Sequence, residues 1–78
     1  MDTHKLLERI TLKPGLMGGK PTIRGLRFTV GDIIELLSDD MTHEAILEQH
    51  PMLEEADIKA ALLYASLKLK NTVVIHEA

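Results

Sequence analysis

All five glycines and two of the three prolines of this 78-residue chain lie before residue 32, at Gly15, Gly18, Gly19, Gly25, Gly31, Pro14 and Pro21. Glycine and proline open turns and break helices, so the segregation divides the chain. A turn-rich N-terminal third precedes a remainder, interrupted only by Pro51, that is free to be helical. Between the turns stand Ile10-Thr11-Leu12, Thr22-Ile23 and Phe28-Thr29-Val30, each too short for an independent sheet. They predict two or three small strands completed by another chain.

Beyond the glycines the apolar spacing becomes helical. Val30, Ile33, Ile34 and Leu37 fall at i, i+3, i+4 and i+7, and Thr29 with Asp32 has the spacing of a capping pair, which predicts a helix over 30–39. Thr42 is placed to cap a second helix that Pro51 ends near His50. A third helix of about 16 residues follows Glu54, with Ile58, Ala61, Leu62, Ala65 and Leu69 along its core-facing stripe. Leu63, Tyr64 and Leu67 then lie on a second face. The β-branched run Thr72 to Ile75 reads as a short tail strand. The expected architecture is a single, mainly α domain over 1–78. It has a β segment over 1–29, a homeodomain-like three-helix (helix-turn-helix) core over 30–70 and a tail over 71–78.

Composition removes several classes of function. There is no cysteine, so disulfide frameworks, thiol catalysis and cysteine-containing metal sites are excluded, and a cytoplasmic setting is expected. No apolar run approaches the roughly 18 residues that span a bilayer, so no membrane partner is expected. With Phe28 and Tyr64 as the only aromatics, the stacking platforms of single-strand binders cannot be built. Gly15 to Pro21 imitates a phosphate loop but lacks the four-residue glycine spacing and the hydroxyl after Lys20. The four histidines are scattered, and neither serine has a base-orienting motif. No cofactor, metal or catalytic set is expected, and the chain reads as a non-enzyme.

Charge is divided as sharply as glycine. Residues 1–30 hold six Lys and Arg against two acids, while residues 31–78 hold three against ten. The two halves should prefer different partners. The richest segment runs from Gly19 to Val30, where Lys20, Arg24 and Arg27 alternate with turn glycines. Such cations can present donors to DNA phosphates, or pair with acids of the helical half.

The run GGKPTIRGLRFTVGDIIELL, followed by DDMTHEAILEQHP and DIKAALLYAS, resembles the bacterial family catalogued as domain of unknown function 433. The likeness covers about residues 9–69. Leu26 stands where that family commonly has threonine, and Glu54 where it usually has a serine or threonine cap. The resemblance implies a homeodomain-like core and an antitoxin role. Such a protein binds and neutralises a PIN-like ribonuclease toxin encoded beside it and autorepresses its operon by DNA binding. A DNA-binding transcriptional regulator without a toxin is the alternative. On this reading Lys20, Arg24 and Arg27 contact operator DNA. Leu63, Tyr64, Leu67, Val73, Val74 and Ile75 hold the toxin, with the homodimer interface as the competing use of that surface.

Overall fold

A computed structural model describes residues 2–71, and short-range capping sets its helices. In chain order the elements are α1 (Thr3–Leu7), β1 (Ile10–Thr11), β2 (Thr22–Ile23), α2 (Val30–Ser38), α3 (His43–Gln49) and α4 (Glu55–Asn71). The molecule is mainly helical, with one small antiparallel sheet.

Helix α2 starts in a full capping box: Thr29 Oγ1 accepts from the Asp32 N–H at 2.9 Å, and Asp32 returns the bond to the Thr29 N–H at 2.9 Å. Thr42 caps α3 by accepting from the Ala45 N–H at 3.0 Å, and α3 stops before Pro51 as the sequence predicts. Helix α4 is 17 residues long.

The N-terminal third differs from expectation in two ways. A five-residue helix, α1, precedes the strands: the Asp2 carboxylate accepts from the Lys5 N–H at 2.9 Å, and the helix packs against α4. So short a helix has almost no periodicity to read, and its stability comes from that packing. The sheet also pairs within the chain rather than needing a second copy. Ile10 faces Ile23 and Thr11 faces Thr22, while the third strand shrinks to one bridge between Thr22 and Thr29. The expected tail strand lies outside the described residues.

The core gathers Ile23 from the sheet, Val30 and Ile33 from α2, Ile46 from α3, Leu53 from the following turn, and Ile58 and Ala61 from α4. Phe28 packs on this core and meets His50 edge-on, with ring centroids 4.8 Å apart. The expected α4 stripe needs correction. Leu62 is 42% exposed and Leu69 74%, whereas Ala60 is fully buried and Tyr64 packs against the core. Ala60 and Ala61 occupy the inward face, and the helical turn then carries Leu62 outward.

Truncating Ile33, which is fully buried, to alanine should cost about 2–5 kcal/mol. Thr29→Ala, which removes a cap, should cost about 1 kcal/mol. Urea denaturation of both variants checks the ranking. A larger loss at Thr29 would mean that the cap, rather than core packing, dominates α2.

Candidate functional site

The sheet ends in a tight turn, Ile23 to Leu26, closed by the Leu26 N–H donating to the Ile23 carbonyl at 2.8 Å. Both central residues have positive φ, Arg24 at 49° and Gly25 at 73°, as a type I′ hairpin turn requires. Glycine takes this conformation freely, but an arginine there costs about 1–2 kcal/mol. Something must hold Arg24 in place.

That restraint is Asp57, which is 0% exposed near the start of α4. Arg24 Nε donates to Asp57 Oδ1 at 3.0 Å and its Nη2 donates to Oδ2 at 2.8 Å. The same Nη2 donates to the Met52 carbonyl at 2.6 Å. From the other side Arg9 Nη1 reaches Asp57 Oδ1 at 2.9 Å and Glu54 Oε1 at 2.7 Å. The Glu54 N–H also donates to Asp57 Oδ2 at 2.8 Å, so the buried carboxylate closes the first turn of α4. Two acids and two guanidinium groups form a cluster with no net charge.

Burial pushes the Asp57 carboxyl up, but hydrogen bonds from Arg24, the Glu54 N–H and Arg9 outweigh it and leave its pKa below the ordinary value. Bonds to the Glu54 and Asp57 carboxylates raise Arg9, and the bond to Asp57 raises Arg24. An ionised carboxylate whose oxygens are occupied this fully has little capacity left to accept a proton or a metal ion. No buried side-chain polar atom among the described residues lacks a partner. Nor do the described residues contain a group of three histidines and acids placed to hold a metal.

The three cations singled out in the sequence have different surroundings. Arg24 is engaged with Asp57, whereas Lys20 and Arg27 are exposed and join no ion pair among the described residues. The bridge from Thr22 to Thr29 sets the register: Lys20 falls beside Gly31, and Arg27 beside Arg24. Lys20 lines a shallow cavity with Pro21, Thr29, Asp32 and Glu35 at the start of α2. They therefore sit at opposite ends of the hairpin. On α4, Leu63, Tyr64 and Leu67 are half-buried, and the Lys68 ammonium lies 5.8 Å from the Tyr64 ring centre. Val73, Val74 and Ile75 lie outside the described residues.

Arg9 and Asp57 escaped sequence reasoning. The available signal was an acid within the inward-facing stretch that holds Ile58 and Ala61, three residues after Glu54, a residue poorly suited to capping.

Fold and cluster together define a class of small, mainly helical protein in which a minimal hairpin is fastened to the longest helix through a buried aspartate. Residues 10–65 match the family described as Protein of unknown function (DUF433), and the chain belongs to it. It is also 34% identical over 58 residues to "Uncharacterized protein y4eO" of Sinorhizobium fredii (strain NBRC 101917 / NGR234). That match covers 74% of this chain and 26% of the relative, so the chain spans about a quarter of the length of the curated protein it matches. No solved structure is a significant match.

Asp57→Asn leaves two partly exposed guanidinium groups, Arg9 at 22% and Arg24 at 34% side-chain exposure, short of charge and should destabilise the fold by about 1.5–3 kcal/mol at neutral pH. Because the folded-state pKa of Asp57 is depressed, its contribution is present above the unfolded value, about 3.9, and is lost as pH falls through the folded value. Thermal melts of both proteins from pH 7 down to pH 2 should therefore converge in acid. A gap that stays constant with pH would contradict the role given to the charge.

Proposed function

We propose that the chain is a non-enzymatic antitoxin that binds and neutralises a PIN-like ribonuclease and, with that partner, represses its own operon by binding double-stranded DNA. The observation that carries this reading is the closure of the Asp57 cluster. The one carboxylate buried among the described residues is spent on the fold, while the remaining charge is displayed on the surface as a basic N-terminal third and an acidic helical half. That distribution suits recognition. Membership of the family supports it, through the antitoxin role that the resemblance implies.

In this proposal α2, α3 and α4 act as a homeodomain-like core, with α3 and α4 as the helix-turn-helix pair. At the start of α4 Glu55 is exposed, and Glu54 and Asp57 are neutralised by Arg9 and Arg24, so this first turn offers phosphate no net positive charge. DNA contact therefore falls to the exposed Lys20 and Arg27 at the two ends of the hairpin, with Arg24 positioning the turn from below. A PIN-like nuclease gathers acids around magnesium and a basic rim around RNA. The acidic helical half complements that rim, and the C-terminal part of α4 with Leu63, Tyr64, Leu67 and the segment Val73, Val74 and Ile75 supplies apolar contact.

Co-expression with the product of the adjacent reading frame should yield a stable complex that lacks the ribonuclease activity of that product alone. With operator DNA, Arg27→Ala should lower the slope of log affinity against log salt by about 0.9 for each lost phosphate contact. An active, unbound neighbour overturns the antitoxin reading, and DNA binding that persists in that case identifies a regulator. An unchanged slope removes Arg27 from the DNA surface.

A further inference from the structure

Helix α4 is longer than the core it serves. Its buried residues are Asp57, Ile58, Ala60 and Ala61, all in its first half. Of the four leucines between 62 and 69, Leu62 and Leu69 are exposed and Leu63 and Leu67 are half-buried. One side of α4 packs against α1, α2 and α3. Leu62 and Leu69, seven residues apart, share the other side with Glu55, Lys59 and Ser66, as the helical period requires.

This exposed stripe has a particular symmetry. Leu62 is midway between Glu55 and Leu69, with about 10 Å of helix on either side. The stripe begins with an acid, Glu55, and ends beside a base, Lys70. A surface of this kind is complementary to itself when reversed: a two-fold axis through Leu62 brings Leu62 against its own copy and Leu69 over the opposite Lys59 stem and Ala56. The same axis sets Lys70 beside the opposite Glu55. Glu55 gives one oxygen to His43 at 2.7 Å and retains the other for that contact. Isologous pairing of this kind closes at two copies.

We infer that a second copy of this chain covers the stripe, with the two α4 helices packed antiparallel about Leu62. The inference is independent of the antitoxin reading, because it concerns only how the chain meets itself. It leaves the sheet edges out of the interface and gives the dimer one basic hairpin at each end.

Sedimentation equilibrium on the full chain should show a concentration-dependent dimer. Leu62→Asp with Leu69→Asp should leave a monomer, and since both side chains are exposed the fold is retained, which circular dichroism checks. Glu55→Lys and Lys70→Glu should each weaken the dimer about tenfold or more, and the two together should restore it. Because the chain has no cysteine, Leu62→Cys supplies a single thiol that should form an intermolecular disulfide on mild oxidation, faster than Lys59→Cys does. A wild-type chain that stays monomeric up to millimolar concentration overturns the inference and leaves the stripe to a different protein. A dimer indifferent to the aspartates, or a charge swap that fails to restore association, overturns the antiparallel register.

Discussion

Everything in the N-terminal third depends on one carboxylate out of contact with water. A buried charge is tolerated only when it is paired and fully hydrogen-bonded, and Asp57 meets that condition by recruiting partners from three separate stretches. Arg9 lies at the entry to β1, Arg24 in the turn after β2, and Glu54 at the junction between α3 and α4. Removing either arginine leaves the buried carboxylate short of a partner, whereas the largely exposed Glu54 side chain balances Arg9 at the surface. The left-handed backbone at Arg24 persists for the same reason, since relaxing the turn would withdraw its guanidinium from the aspartate.

The cluster also compensates for what the sheet lacks. Two strands of two residues each cannot fix their own register, and the apolar contribution to it is chiefly Ile10 and Ile23. The guanidinium groups supply direction. Arg24 forks onto both oxygens of Asp57 and also reaches the Met52 carbonyl, an arrangement that a slip of one residue along β2 would destroy. Apolar burial provides most of the stabilising free energy and the ion cluster the alignment, a division expected where the core of a small domain contains few large side chains.

Much of the helical half was legible because its signals are local. The Thr29 and Asp32 pair, the Thr42 cap and the stop at Pro51 each act within four residues, and all three helices stand within a residue or two of where the sequence puts them. The strand pieces were legible for the same reason, as short β-branched runs between glycines. What escaped was non-local. Helix α1 exists because α4 offers it a surface, and the inward face of α4 was misjudged because two alanines, rather than Leu62 and Leu69, make its close contacts. The link from Arg9 to Asp57 spans 48 positions, and no spacing rule reaches that far. Pairing with the acids of the helical half was one of two uses open for the hairpin arginines, and the structure assigns it to Arg24 alone.

Charges that build the fold are thus separate from charges left to meet other molecules. The Asp57 carboxylate holds the hairpin, the turn before α4 and the first turn of α4 as one cooperative unit. Native-state hydrogen exchange on the wild-type chain and on Asp57→Asn tests that claim most directly. The amides to follow are those of Ile23 and Val30, which donate across the hairpin to the Phe28 and Pro21 carbonyls, and of Arg24, which donates to the Arg9 carbonyl, with Ile46 in α3 as the internal reference. The account predicts that the three hairpin amides lose protection together in the variant, by more than Ile46 does. Unchanged protection at Ile23 and Arg24, with only the Glu54 amide set free, would show that the hairpin holds itself and that the cluster is a local helix cap.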